Sequence, residues 1–176
     1  CMELLGGDLD ILVNAHGIQR RHQPEEFPLS DWDDVISVNL SSVFVLCQEA
    51  GRVMLPKGRG KIINIASMIS FFGGQTIPAY AASKGGVAQL TKALSNDWAG
   101  KGIQINAIAP GYMATDMNTA LMDPANPRYQ QITDRIPAHR WGTPDDMKGI
   151  CVFLASPASD YITGAVIPVD GGYLVK

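Results

Sequence analysis

The sequence predicts an α/β fold, a doubly wound parallel sheet covered by helices on both faces. Short apolar runs alternate with segments of helical periodicity, without a linker or an internal repeat. This alternation is typical of parallel sheets, because the helix that connects two parallel strands also covers one face of the sheet. A length of 176 residues with 46% hydrophobic residues suits one compact domain. We therefore treat residues 1–176 as one unit.

The first strand and the first helix follow from an apolar run and a capping pattern. Residues 10–14 form a short apolar run, which predicts a strand. Ser30 precedes a segment of helical periodicity and has Asp33 three residues later. This is the spacing of a capping box, so we expect a helix to begin at Ser30. The apolar residues at helical spacing are Trp32, Val35, Ile36, Val43, Phe44 and Leu46.

Two further strands flank the longest predicted helix. Residues 61–66 form the second apolar run, and residues 79–99 form a helix. Gly102 predicts the end of this helix, because glycine readily adopts the left-handed conformation found after helices. Residues 103–109 are the next strand. One side of the long helix carries Val87, Leu90, Leu94 and Trp98.

The last helix has a well-marked start. Thr143, Pro144, Asp145 and Asp146 place a capping threonine before a proline and two acids in the first turn. Residues 165–169 form the final strand. The residues that we expect to face the core from this helix are Met147, Ile150, Val152, Phe153 and Leu154.

Composition and charge narrow the classes of function. A formal net charge of −3 gives little electrostatic support for nucleic acid binding. The sequence has neither an apolar run of about 18 residues nor an N-terminal signal segment, so we expect a cytoplasmic protein without a membrane partner. Cys1, Cys47 and Cys151 lack the spacing of a zinc site or a disulfide framework. We therefore expect reduced thiols and no metal.

Three polar residues around the second strand are candidates for chemistry. Ser67 follows the strand, and Tyr80 and Lys84 lie four residues apart in the next helix, on one face of it. Because open α/β sheets bind ligands at the carboxyl ends of their strands, the three side chains can converge there. A Tyr-x-x-x-Lys pair alone also occurs by chance on solvated helices. The position of Ser67 after a strand favours the catalytic interpretation.

This trio suits proton transfer coupled to hydride transfer. A free phenol has a pKa of about 10, too high for ready deprotonation at neutral pH. The ammonium group of Lys84 can favour the phenolate of Tyr80, and its long stem can reach the hydroxyls of a bound ribose. The hydroxyl of Ser67 can hydrogen-bond the carbonyl or alkoxide oxygen of a substrate.

The pattern resembles that of the classical short-chain dehydrogenases/reductases. Ser67, Tyr80 and Lys84 match the catalytic triad of this family, and Asn39 matches the asparagine that extends it to a tetrad through a water-mediated proton relay. The alternative for Asn39 is a local role, in which it satisfies backbone groups. Three other motifs match in the family's order: residues 10–17, residues 106–111 with Thr115, and residues 169–172.

The resemblance implies a Rossmann-like domain that binds NAD or NADP. Asn14 either contacts the ribose or stabilises the sheet, and Thr115 is either a cofactor contact or an ordinary loop residue. The chain departs from the family where Ala15-His16 replaces Asn-Ala, and we do not expect His16 to act as the base because Tyr80 has that role. The implied cofactor contacts are Asn14, Ala15, Gly17, Tyr80, Lys84, Pro110, Gly111, Met113 and Thr115.

Within the family, the chain is similar to sugar-acid dehydrogenases such as gluconate 5-dehydrogenase and 2-deoxy-D-gluconate 3-dehydrogenase. The implied small-molecule substrate has a secondary alcohol, held at Ser67, and a carboxylate. The planar fork of an arginine binds both carboxylate oxygens, so Arg20 or Arg21 is the candidate partner, with a solvated basic loop as the alternative. Tyr112 would close over the substrate, and residues 118–135, the lid segment, would cover the site.

The glycine-rich turn that begins this family's domain, Thr-Gly-x-x-x-Gly-x-Gly, does not occur in the sequence. We therefore expect residues 1–176 to be a single incomplete domain, the C-terminal portion of the fold, with residues 10–14 as an unprotected edge strand. The family commonly forms dimers and tetramers, which implies a homo-oligomer. Two alternatives remain: a 3-oxoacyl carrier-protein reductase with the same tetrad, and a non-catalytic fragment that associates with full-length subunits.

Overall fold

The structure is a computed structural model and describes residues 6–176. Cys1, for which a reduced thiol is expected, lies outside the described residues. Four parallel strands form one sheet in the order β1-β2-β3-β4, as the alternating sequence pattern predicts. The strands are β1 (Ile11–Asn14), β2 (Gly60–Ile65), β3 (Ile103–Pro110) and β4 (Val166–Val169).

The helices lie between these strands along the chain. A π-helical turn at Ser37–Ser41 joins the first two helices into one continuous helical segment. A 3₁₀ turn at Pro144–Met147 precedes the last helix. The α-helices are α1 (Leu29–Ile36), α2 (Ser42–Lys57), α3 (Pro78–Trp98), α4 (Thr119–Met122), α5 (Pro127–Arg135) and α6 (Lys148–Ala155).

Both faces of the sheet are covered, which makes the fold doubly wound. On one face, Met54 of α2 and Val87 of α3 pack on Ile105 of β3, and all three are fully buried. On the other face, Leu154 of α6 packs on Ile63 and Ile108. Burial of strand residues on both faces removes a large apolar area from water and is typical of parallel sheets.

The strand register places the functional loops together. Asn14 pairs with Asn64, Ile65 with Ile108, and Pro110 with Val169. The carboxyl ends of all four strands therefore lie along one edge, and the loops that follow them surround one crevice.

Two expectations about the helices are wrong. α1 begins at Leu29, after Pro28, and has no side-chain cap, so Ser30 lies inside the first turn. The fixed φ of proline and the bond from the Trp32 N–H to the Pro28 carbonyl, 3.0 Å long, set this start instead. Val152 is 69% exposed and does not face the core, because the neighbouring positions Ile150, Phe153 and Leu154 already cover the sheet.

Gly102 ends the turn after α3 in the left-handed region, with a φ of +84°. A Cβ at this position would lie 1.9 Å from the carbonyl oxygen of Gly58. We expect Gly102→Ala to lower the free energy of unfolding by about 2 kcal/mol or more, since both the backbone conformation and the clash oppose it. Chemical denaturation measures this change. Gly100→Ala is the control, because a Cβ there meets nothing within 4 Å, and equal stability losses for the two variants would contradict the expectation.

Candidate active site

The structure brings the predicted trio to one edge of the sheet. Ser67 directly follows β2 and caps a short turn, where its hydroxyl accepts a bond of 3.2 Å from the Ile69 N–H. Pro78 begins α3, so that Tyr80 lies in the first turn and Lys84 one turn later. The Nζ of Lys84 lies 5.8 Å from the centroid of the Tyr80 ring.

Lys84 is held in place by the main chain of the neighbouring strand. Its Nζ donates a hydrogen bond of 2.7 Å to the carbonyl of Ile65, and only 4% of the residue is exposed. Burial lowers the pKa of Lys84 from 10.5 to about 8, because the charged form loses its hydration. The side chain is therefore still an ammonium at neutral pH.

The pKa of Tyr80 lies above its ordinary value, whereas the sequence indicated that a nearby ammonium would lower it. Burial raises its pKa above the ordinary value of 10, while the Ser67 hydroxyl, as a hydrogen-bond partner, and the charge of Arg21 act in the opposite direction. Lys84 was the expected source of the stabilising positive charge. In the structure Arg21 is a source of such charge, while the Lys84 ammonium donates to the Ile65 carbonyl 5.8 Å from the centroid of the Tyr80 ring. The effect of Lys84 on the phenolate stays a prediction.

Asn39 lies in the π-helical turn and is fully buried. Its amide bonds the main chain of Ile18 in both directions, with the Ile18 N–H donating over 2.8 Å and the Ile18 carbonyl accepting over 2.9 Å. A third bond of 3.2 Å reaches the hydroxyl of Ser83. These bonds attach the loop after β1 to α3, which is the local role considered above. The proton relay stays a prediction.

Asn14 belongs to a buried polar network beneath the site. Its Nδ2 donates to Asn64 Oδ1 over 2.9 Å and to Cys47 Sγ over 3.4 Å. Asn64 in turn donates to the hydroxyl of Thr91 over 3.0 Å. This arrangement supports the sheet-stabilising interpretation of Asn14. Sequence reasoning missed Asn64 and Thr91, although an asparagine within an apolar strand is itself a signal of buried hydrogen bonding.

A cavity of about 250 Å³ lies above Tyr80 and Lys84. All of the predicted cofactor contacts except Asn14 line it. Two glycines of the lining lie close to neighbouring residues: a Cβ at Gly17 would contact Lys84 Nζ at 3.5 Å, and one at Gly111 would clash with the Cα of Asp170 at 2.7 Å. The full lining is Ala15, His16, Gly17, Ile65, Ala66, Tyr80, Lys84, Pro110, Gly111, Met113, Thr115, Met117 and Asn118.

His16 forms part of the cavity wall and is tied to α2. Its Nε2 lies 2.6 Å from the hydroxyl oxygen of Ser42, whose single proton is donated to the Val38 carbonyl over 2.6 Å. Ser42 must therefore accept from His16, which places a proton on Nε2. This bond holds the imidazole ring against α2. Such a structural role agrees with the expectation that His16 is not the catalytic base.

The two candidate arginines have different environments. Arg20 lies 3.9 Å from Asp31, which also bonds His22 over 2.6 Å. Both arginines line an adjoining opening, which Met117 and Ala120, the latter from the lid segment, also line. Burial lowers the pKa of Arg21, repulsion from Arg128 lowers it further, and Tyr112 and Tyr80 oppose the change. Arg20 is paired with Asp31, whereas the charge of Arg21 acts on Tyr80, which favours Arg21 as the substrate contact. Arg128, whose charge acts on Arg21, was missed by sequence reasoning.

Tyr112 lies in an aromatic cluster that anchors the lid segment. Its ring centroid is 5.2 Å from that of Trp141 and 5.4 Å from that of Tyr173. Tyr129 of α5 stacks on Trp141 at 5.9 Å, and the indole N–H of Trp141 donates to the hydroxyl of Thr133 over 3.0 Å. The aromatic cluster fixes α5 beside the site.

Comparison with known proteins decides the family. The model of a family described as Enoyl-(Acyl carrier protein) reductase matches residues 2–174. The chain is also 55% identical over 168 residues to the 2-dehydro-3-deoxy-D-gluconate 5-dehydrogenase of Bacillus subtilis. The chain belongs to the short-chain dehydrogenase/reductase family. This alignment covers 96% of the chain but 66% of the relative, so the chain spans about two thirds of the length of the curated relatives it matches.

Other members of the short-chain dehydrogenase/reductase family give the same picture. The gluconate 5-dehydrogenase of Gluconobacter oxydans is 46% identical over 174 residues, which are 97% of the chain and 66% of the relative. The structure of a gluconate 5-dehydrogenase from Burkholderia cenocepacia, in complex with NADP and tartrate, superimposes with a TM-score of 0.95 at 46% identity. The superposition covers 99% of this chain and 68% of the Burkholderia protein. The Rossmann-like fold expected from the sequence is confirmed.

None of the helices within residues 6–176 combines the length and the apolar character needed to cross a membrane. Over the same residues, no three His, Cys, Asp or Glu side chains are grouped so as to hold a metal ion.

Proposed function

We propose that this chain catalyses the NAD(P)-dependent interconversion of a secondary alcohol and a ketone on a gluconate-like sugar acid. The observation that supports this most strongly is the placement of Tyr80 and Lys84 on one cavity at the carboxyl ends of the strands, with Ser67 beside the phenol. Family membership and the names of the relatives agree with it.

The residues of the cavity fit a nicotinamide nucleotide. Gly17 leaves room at the cavity wall, because a side chain larger than a methyl group there would extend against Asn39 and Lys84. Such a nucleotide, when bound, accepts or supplies the hydride. We propose NADP in preference to NAD because the Burkholderia neighbour contains NADP.

The protein groups supply position and proton transfer. In alcohol oxidation, Tyr80 accepts the proton of the substrate hydroxyl, and in ketone reduction it returns that proton. Ser67 donates a hydrogen bond to the reacting oxygen and so orients it. Lys84 holds a positive charge at the cavity wall and would hydrogen-bond the ribose hydroxyls of a bound nucleotide. Asn39 retains its proposed part in the proton relay.

The substrate class follows from charge. Arg21 lies beside Tyr80, Tyr112 and the lid segment, where a carboxylate on the substrate can bind its planar guanidinium. The Burkholderia neighbour contains tartrate, a hydroxy acid with two carboxylates. Both observations support a hydroxy acid as substrate.

A turnover assay tests the proposal. The chain is incubated with NADP⁺ or NAD⁺ and a panel of sugar acids, and in the reverse direction with NADPH and 3-oxo compounds, including a 3-oxoacyl thioester. We expect nicotinamide reduction with a gluconate-like acid. Turnover only of the thioester would favour the carrier-protein reductase instead. No turnover of any substrate by the folded chain would favour the non-catalytic fragment.

We also propose that the chain associates with copies of itself. Two apolar surfaces support this: Phe44, Val45 and Leu46 of α2 are 42–50% exposed, and Ile11 and Val13 of β1, at the edge of the described sheet, are 43% and 42% exposed. Sedimentation velocity is expected to show a dimer or larger species. A monodisperse monomer at micromolar concentration would contradict this. We further propose that the chain acts as one NAD(P)-binding domain and lies in the cytoplasm, because the free thiols of Cys47 and Cys151 are typical of a reducing compartment.

A further inference from the structure

Two arginines near the site, Arg21 and Arg128, have neither an acidic partner nor an aromatic ring to stack on among residues 6–176. The other described arginines are engaged. Arg135 lies over the ring of Tyr173, with 4.2 Å from its guanidinium carbon to the ring centroid. Four more form ion pairs, namely Arg20 with Asp31, Arg52 with Glu49, Arg59 with Asp10, and Arg140 with Asp146. Arg21 and Arg128 form no such pair within the described part of the chain.

Arg128 lies on the face of α5 that is turned towards the site. Positions 128, 132 and 135 are spaced by four and three residues, so they share one helix face. Ile132 is buried against Trp141 and Tyr173, and Arg135 covers Tyr173. Arg128 therefore extends along the same surface at the N-terminal end of the helix, where the Asn126 side chain caps its backbone N–H over 3.0 Å.

The charges of the two arginines interact. After burial, repulsion by Arg128 is the largest cause of the lowered pKa of Arg21. Arg128 also acts to lower the pKa of Tyr173, which contacts Tyr112. Two guanidinium groups that repel each other without a counter-ion favour the binding of an anion between them.

We propose that Arg21 and Arg128 together bind the carboxylate of the substrate, one from the loop after β1 and the other from the lid segment. The inference rests on the proposed function and names the groups that recognise the acid. A carboxylate bound by both would be held beside Tyr112 and Tyr80, with the alcohol carbon towards the phenol. It would also join the lid segment to the body of the protein by charge.

The affinities of D-gluconate and of D-gluconamide, the same molecule without the negative charge, test this directly. Isothermal titration calorimetry is performed with saturating NADP⁺ on the wild-type chain and on Arg128→Gln. We expect the wild-type chain to prefer gluconate, and Arg128→Gln to weaken gluconate binding by about tenfold or more with gluconamide unchanged. Arg128→Lys keeps the charge without the fork, so an intermediate loss is expected.

Arg52→Gln is the matched control, because it removes the same charge from an exposed ion pair on α2. Its gluconate affinity should equal that of the wild-type chain. If Arg128→Gln binds gluconate within twofold of the wild-type chain, or loses both ligands equally, the role of Arg128 is wrong while the proposed function stands. If the wild-type chain does not prefer gluconate to gluconamide, the sugar-acid function is wrong, and this inference with it.

Discussion

Replacing Tyr80 with phenylalanine is expected to lower kcat about a thousandfold while NADPH affinity stays nearly the same. The substitution removes only the phenol oxygen, the group that transfers the substrate proton, and general acid–base catalysis contributes rates of about this size. The ring still packs beside Lys84, so the cavity keeps its shape. Steady-state kinetics and a fluorescence titration of NADPH measure the two effects.

Tyr161→Phe is the control for Tyr80→Phe. It makes the same chemical change on a side chain that is fully exposed, and it should leave kcat unchanged. A Tyr80→Phe variant that retains more than a tenth of the wild-type kcat would remove Tyr80 from the proposed proton transfer.

The pH profile has a predicted direction. Because burial holds the pKa of Tyr80 above 10, alcohol oxidation should accelerate as the pH rises towards that range, since it needs the phenolate. Ketone reduction needs the phenol and should slow over the same range. Arg21→Gln should move both profiles to higher pH, because it removes a positive charge that favours the phenolate.

Replacing Lys84 with methionine is expected to abolish turnover and, at pH 7, to stabilise the fold. The pKa of Lys84 is lowered from 10.5 to about 8, so the charged side chain destabilises the folded state. At about 1.4 kcal/mol for each pH unit, this cost is about 3 kcal/mol. Loss of the bond to the Ile65 carbonyl offsets about 1–2 kcal/mol of the gain. We expect a net stabilisation of about 1–2 kcal/mol.

The size of the stabilisation by Lys84→Met depends on pH. Below pH 8 the ammonium is present in both the folded and the unfolded chain, and its burial cost is complete. The cost falls as the pH rises from about 8 to 10.5, because the folded chain loses the proton first, and it is gone above 10.5. The advantage of Lys84→Met should therefore disappear over this range. Denaturation at several pH values measures it.

Lys92→Met is the control, since Lys92 is exposed on the same helix. It should change neither stability nor turnover appreciably. A Lys84→Met variant that is less stable than the wild-type chain at pH 7 would show that the Ile65 hydrogen bond outweighs the cost of burial.

The sequence predicted the parts of the fold that depend on local chemistry. Apolar runs predicted the four strands, and Thr143 is the N-cap residue before Pro144 at the start of the helical segment that ends with α6, as expected. Tyr80 and Lys84 lie on one cavity because their spacing matches one turn of α3. These features need only periodicity, capping or turn geometry, all of which are written in consecutive residues.

The sequence could not predict features that depend on distant contacts. It left Arg20 and Arg21 equivalent, because only the folded chain places Asp31 beside Arg20. Arg128 was not identified, since its relation to Arg21 depends on how α5 packs on Trp141 and Tyr173. Val152 was assigned to the core because it is hydrophobic. The sequence does not reveal that the face of α6 that packs on the sheet is formed by other residues, which leaves Val152 exposed.

The central claim is that the cavity above Tyr80 and Lys84 binds a nicotinamide nucleotide, and a fluorescence titration of NADPH against this chain tests it most directly. We expect saturable binding with a micromolar Kd, weakened strongly by Gly17→Val, which places a branched side chain against Asn39 and Lys84. A folded chain that shows no saturable binding, or that binds NADPH equally well with valine at position 17, would contradict the account.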